Sequence, residues 1–91
     1  MVPDLTTSLP ESSAMMSTRR SLPDRLGEVI RHRRVAAGWT QEGFADEIQM
    51  HRAQYGLIER GKKDLRLSSL ERVAAGLKVS LSIILREAED A

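Results

Sequence analysis

An all-α domain of five short helices behind a disordered N-terminal tail is the fold class this 91-residue sequence predicts. Three observations lead there. From Leu26 to Leu85 the apolar residues recur at helical spacing, and no segment reads as a strand. Helix-start signals, a serine with an acid three positions later, stand at Ser21–Asp24 and Ser68–Glu71. With one Trp, one Tyr and one Phe, the core must be built mainly from Leu, Ile, Val and Ala, in a chain long enough for one domain at most.

Residues 1–20 are rich in Ser, Thr and Pro and lack apolar periodicity, so they are expected to be a disordered tail, leaving 21–91 as the domain. The first helix starts near Pro23, a residue well tolerated in a first turn because no intrahelical N–H is lost. Leu26, Ile30 and Ala37 share one of its faces, with Val29 adjacent, and Gly38 ends it. Trp39 follows and is expected to pack over the core. Thr40 caps the second helix, which begins at Gln41 and is apolar at Phe44, Ala45 and Ile48. Gly43 weakens it by about 1 kcal/mol relative to Ala. After a tight break, residues 52–60 form a third helix, apolar at Tyr55 and Ile58 with Leu57 beside them, and Gly61 stops it. The serine pair and Glu71 predict a fourth helix from Ser69, buried through Leu70, Val73, Ala74 and Leu77. Ser80 caps a fifth, which carries Leu81, Ile84 and Leu85.

Composition removes several function classes. With no Cys there are no disulfides and no thiolate metal sites, and a cytoplasmic home is expected. His32 and His51 are too far apart for metal-ligand spacing, so no metal or other cofactor is expected. The start lacks the basic and apolar regions of a signal peptide, and the Ile83-Ile84-Leu85 cluster is far too short to span a bilayer. No nucleophile stands in a recognisable frame and no glycine-rich loop follows a strand, which argues against an enzyme. The net charge is only +1, but Arg31, Arg33 and Arg34 cluster on one segment, and Arg60, Lys62, Lys63 and Arg66 on another. Alone these are solvated charges; beside a nucleic-acid-reading helix pair they favour phosphate.

The second and third helices supply that context. Each is marginal alone and must be held by packing. Two such helices joined by a turn of three or four residues make a helix-turn-helix, whose second helix can enter the major groove. The runs TQEGFADEI and HRAQYGLIERG resemble the lambda-repressor/Cro-like, or XRE-like, helix-turn-helix family across residues 26–85. Thr40-Gln41-Glu42, Ala45, Ile58-Glu59 and Gly61 carry the resemblance, and the His51-Arg52 start is similar to its restriction-modification controller proteins. One departure is Gln49, in the turn where the family usually has Gly. A left-handed conformation there costs about 1–2 kcal/mol more for Gln than for Gly, so a slightly reshaped turn is expected.

The resemblance implies double-stranded DNA as partner and a role in transcription. Arg52, in the first turn of the recognition helix, is the leading candidate for a base edge, because Arg can meet guanine O6 and N7 with two donors; a solvated surface Arg is the bland alternative. Ala53 and Leu57 are candidates for thymine methyls, or simply spacing. Gln54 suits a phosphate or a base. Gln41 resembles the family glutamine that grips a phosphate at a helix start, and His51, at the N-cap of the recognition helix, is a further phosphate candidate. Gly56 either lets DNA approach the backbone or accommodates the neighbouring helix. Arg60, Lys62 and Lys63 lie where phosphate contacts are expected. Arg34 and Glu59 occupy positions that resemble a structural ion pair tying the first helix to the recognition helix.

A chain this small gains from dimerisation. Ile83, off the intrachain face of the fifth helix, marks with Leu81 and Ile84 the expected homodimer patch, and a two-fold dimer implies a pseudo-palindromic operator. The rival reading is an antitoxin that represses its own operon, with the tail folding onto a protein toxin.

Overall fold

The computed structural model describes residues 20–62 and 65–91. The tail assignment, apart from Arg20, and the phosphate contact expected of Lys63 lie outside the described residues. Five helices follow in order: α1 (Leu22–Ala36), α2 (Gln41–Glu47), α3 (Arg52–Glu59), α4 (Leu67–Leu77) and α5 (Leu81–Asp90). Among the described residues there is no strand, and no helix is long and apolar enough to cross a membrane.

Side-chain caps set the starts of α1 and α2 and left-handed glycines follow the ends of α1 and α3, whereas Ser80 stands at the N-cap of α5 without a side-chain cap bond. The Asp24 amide donates to the Ser21 hydroxyl at 3.3 Å, with Pro23 in the first turn of α1. The Gly43 amide donates to the Thr40 hydroxyl at 2.9 Å and starts α2 at Gln41. Gly38 (φ 88°) and Gly61 (φ 70°) stand just past α1 and α3 in the left-handed region.

One boundary differs from expectation. Helix α4 begins at Leu67 rather than Ser69, because the Leu70 amide already reaches the Arg66 carbonyl at 3.0 Å. Ser68 and Ser69 therefore lie inside the first turn: Ser68 does not cap it, and Ser69 is buried. Lys78 closes α4 in a left-handed conformation (φ 62°) that nothing in its residue type announces.

The turn between α2 and α3 also differs. It is not reshaped around its non-glycine residue: Gln49 takes the left-handed conformation itself, at φ 56°. Three contacts hold it there. The Gln49 amide reaches the Asp46 carbonyl at 3.0 Å, the Met50 amide reaches the Ala45 carbonyl at 2.9 Å, and the Arg72 guanidinium of α4 donates to the Gln49 carbonyl. Met50, two residues from the start of α3, is buried and anchors the turn from below.

Helix α1 packs on α5 and α3, α2 packs on α3, and α4 closes on α5. Leu26, Ile30, Phe44, Tyr55, Val73 and Ile84 make the centre of the core, each at most 3% exposed. Trp39 is half-buried and meets Phe44 edge-on at 5.9 Å, and Phe44 meets Tyr55 the same way at 5.3 Å.

One expected core position and one expected dimer-patch residue are corrected. Ala37 is exposed, because it caps α1 rather than continuing its apolar face. Ile84 has no exposed surface and belongs to the intrachain core, so it leaves the expected dimer patch; Ile83, 44% exposed, and half-buried Leu81 stay at the surface.

At Gly27 the packing of α1 on α3 is tightest. A methyl group there would lie 2.5 Å from the Glu59 carbonyl oxygen and 2.6 Å from that of Ile58. Only a residue without Cβ lets the end of α3 approach α1 this closely. Nothing in the residues flanking Gly27 announces that role.

Candidate nucleic-acid interface

Helix α3 is two-sided. Tyr55, Gly56 and Ile58 face inward, whereas Arg52, Ala53, Gln54 and Leu57 face solvent. Because residues advance by 100° along a helix, burial of Tyr55 and Ile58 turns 53, 54 and 57 outward together. His51 precedes the helix in extended conformation, is exposed, and makes no side-chain cap bond. The first amides of α3 thus have no side-chain partner at that cap and point out along the helix axis. Beside Arg52 and His51, a recess of about 340 Å³ is lined also by Asp46, Gln49 and Met50. At the other end, Arg60, Lys62 and Arg66 are exposed. A groove of about 280 Å³ runs there past Gln54, Leu57, Lys62, Leu65 and Arg66.

What holds this face in place is a buried polar cluster centred on Glu59, whose side chain is 4% exposed. Arg34 of α1 grips it with two donors, Nε to Oε2 at 2.6 Å and Nη2 to Oε1 at 3.1 Å, and directs Nη1 to the Trp39 carbonyl at 2.9 Å. Gln41 Nε2, from the start of α2, donates to Oε1 at 3.1 Å. The Tyr55 hydroxyl, one turn earlier on α3, donates to Oε2. Burial alone would raise the Glu59 pKa, but the donors from Arg34, Tyr55 and Gln41 outweigh it and hold the carboxyl below the usual range. The Arg34 guanidinium is correspondingly shifted up by its bond to Glu59, against its own burial. Burial, then the adjacent carboxylate, pushes the Tyr55 phenol up, so it stays a proton donor at neutral pH.

The geometry separates residues the sequence grouped together. Arg31, Arg33 and Arg34 do not form a phosphate patch. Arg34 is engaged by Glu59, and Arg33 pairs with Glu87 of α5 at 3.0 and 2.5 Å, which leaves Arg31 exposed. Neighbours in sequence diverge around a helix, and two of these three meet carboxylates brought by other elements. Gly56 is resolved differently. A Cβ there would meet only the ends of the Arg60 and Gln41 side chains, at 3.5 and 4.0 Å, which is ordinary packing distance. The neighbouring helix therefore does not require the glycine. Gln41 stands at the α2 start as expected, yet one of its side-chain N–H groups is turned inward to Glu59.

Sequence reasoning missed the Tyr55 hydroxyl, the Arg33–Glu87 pair and Arg25. The Arg25 guanidinium reaches the Ala88 carbonyl at 2.9 Å and so caps the end of α5. The partners of Arg33 and Arg25 lie 54 and 63 residues away, and no local pattern encodes them. Tyr55 and Glu59 stand four apart on one helix, a spacing at which side chains meet and which could have found the pair.

Comparison with known proteins agrees with this architecture. Residues 30–84 match the family model described as helix-turn-helix. Over 50 residues, 55% of this chain and 68% of the relative, the sequence is 40% identical to the control protein C.MunI from Mycoplasma sp.. Among solved structures, the clp gene regulator ClgR from Corynebacterium glutamicum superposes with a TM-score of 0.73 at 27% identity, covering 78% of this chain and 76% of that one. The restriction-modification controller protein C.Esp1396I, as an arginine-to-alanine mutant, gives 0.69 at 30% identity over 76% and 92%. The controller C.AhdI from Aeromonas hydrophila gives 0.62 at 27% identity over 72% and 94%.

Proposed function

The chain belongs to the helix-turn-helix family, and on that premise we propose that it is a sequence-specific transcriptional regulator of the restriction-modification controller kind. It binds double-stranded DNA as a homodimer, in the cytoplasm, at a pseudo-palindromic operator. The observation that carries the reading is the two-sidedness of α3: its buried face is fixed to α1 and α2, and its outer face offers Arg52, Ala53, Gln54 and Leu57 to solvent. The similarity to C.MunI and to C.Esp1396I supports the controller subtype.

In this reading the N-terminal half of α3 enters the major groove. Arg52 reads a guanine edge, and Ala53, Gln54 and Leu57 complete the base-facing surface. Lys62 and Arg60, beyond the end of the helix, hold phosphates with Lys63, and Gln41 and His51 hold the backbone at the helix starts. Opposed recognition helices of a two-fold dimer meet half-sites about one helical turn, roughly 34 Å, apart. Exposed Ile83 and half-buried Leu81 on α5 supply the dimer patch.

The test compares two single variants on selected and scrambled duplexes at several salt concentrations. Arg52→Ala costs about 1–3 kcal/mol on the preferred site and flattens the preference at one base pair per half-site. Lys62→Ala weakens binding to all sequences alike and lowers the salt slope by about one unit for each phosphate it no longer neutralises. If Arg52→Ala weakened every duplex equally, Arg52 would be a phosphate anchor and the docking would be wrong.

A further inference from the structure

We infer that Tyr55, a buried residue with no surface to offer DNA, is a positioning residue for base recognition: its ring and its hydroxyl together set the angle at which α3 presents Arg52, Ala53 and Gln54. The inference rests on the DNA-binding reading of α3.

Beyond buried Met50 and the turn that it anchors, little else holds that end of the helix. Helix α3 has eight residues, too few to be stable alone. Its N-cap, His51, makes no side-chain bond, and its first turn has no acidic residue to complement the helix dipole. The turn before it contains a left-handed Gln49, a conformation that is costly without glycine. Within residues 52–55, Tyr55 is the one buried side chain, and it is 0% exposed.

That anchor acts on α2 directly through its ring and on α1 and α2 indirectly through Glu59 of its own helix. Its ring packs edge-on against Phe44 of α2 at 5.3 Å. Its hydroxyl donates to Glu59, whose carboxylate is held by Arg34 of α1 and Gln41 of α2. Each oxygen of Glu59 then takes two donors: Oε2 from Arg34 and Tyr55, Oε1 from Arg34 and Gln41. A carboxylate satisfied on both oxygens has one orientation. Without the phenol, Oε2 keeps one donor in a site closed to water, and the carboxylate can turn toward the others. The ring alone still fills the core, and Arg34 and Gln41 still tie Glu59 to α1 and α2, but a carboxylate less firmly oriented between them leaves α3 room to tilt about the ring. Bidentate base readout is sensitive to that tilt, because a supporting shell loosened by about 1 Å is enough to spoil a site.

The experiment is Tyr55→Phe in the full chain, with the parent protein alongside, on a duplex selected by the parent and on a scrambled duplex. Both proteins are first checked by circular dichroism for the same helix content. Preference for the selected duplex is expected to fall about fivefold, within the range one good bidentate contact supplies. Affinity for the scrambled duplex and its salt slope should stay put, because phosphate contacts do not depend on a fixed helix angle. A residue that only stabilised the fold would lower the melting temperature and leave the preference of the folded protein intact, and that result would overturn the inference. Placing 4-aminophenylalanine at 55 restores a donor at the same point; it should restore the preference, also if Tyr55→Phe itself does not fold, and failure to do so would likewise overturn the inference. A parent that selects no sequence would sink the DNA-binding reading and this inference together, whereas a selective parent with an equally selective Tyr55→Phe sinks the inference alone.

Discussion

Arg34→Met withdraws two donors from a buried carboxylate while keeping a side chain of similar reach. In the parent, Glu59 accepts hydrogen bonds from Arg34, Tyr55 and Gln41 and is 4% exposed. After the substitution only Tyr55 and Gln41 remain. Removing one partner of a buried pair costs about 3–5 kcal/mol, and the two surviving donors place this case near the lower end. That is a large share of the total, since domains are stabilised by roughly 0.05–0.15 kcal/mol per residue.

The pH dependence should change sign. In the parent, the folded Glu59 pKa lies below its unfolded value, so its contribution is complete above the unfolded value, about 4.3, and is lost as pH falls through the folded one. In Arg34→Met, burial prevails and the folded pKa rises above the unfolded one. The carboxylate is then destabilising at neutral pH, and that penalty is relieved as pH falls through the raised value. The two stabilities therefore converge on acidification. Urea unfolding followed by circular dichroism, at about pH 7 and about pH 4, measures both points. A neutral-pH loss below about 1 kcal/mol, the size of an exposed pair, or a loss equal at both pH values, would refute the account of a buried hub.

Two glycines in adjoining helices should respond in opposite directions. Gly27→Ala loses about 1–3 kcal/mol to overpacking against the Ile58 and Glu59 carbonyls, more than the ~1 kcal/mol that alanine contributes as a better helix former. Gly56→Ala meets no neighbour closer than 3.5 Å, so it should stabilise by about 0.5–1 kcal/mol in thermal melts. If it also weakens DNA binding, the glycine serves close approach of DNA; if binding is unchanged, that role is excluded. Ile83→Glu should convert the proposed dimer to monomer in sedimentation at micromolar concentration, and a variant that stayed dimeric would move the interface away from α5.

Most of the helix order was legible because its signals are local. Ser21, Thr40, Gly38 and Gly61 act within one turn of where they stand, and hydroxyl caps and left-handed glycines read the same in any tertiary context. The inward face of α3 was legible for the same reason, since a helix of known start leaves little choice about where Tyr55 and Ile58 point. The Arg34–Glu59 pair could be expected only through the resemblance to a family; nothing in a sequence separation of 25 residues dictates it.

What the sequence by itself determined, then, is the set of helices and the residues α3 offers to solvent, because periodicity and capping are short-range. Which charges remain free was decided by the tertiary structure alone. Arg33 and Arg34 look like a basic patch until Glu87 and Glu59 arrive from other helices. The left-handed Gln49 is similar: its intrinsic cost argues for another turn, and the Arg72 bond from α4 helps hold the residue there. So is Gly27, whose missing side chain has meaning only once the end of α3 lies against it. In each case the deciding energy comes from residues distant in sequence meeting one another, which happens only after the chain has closed on itself.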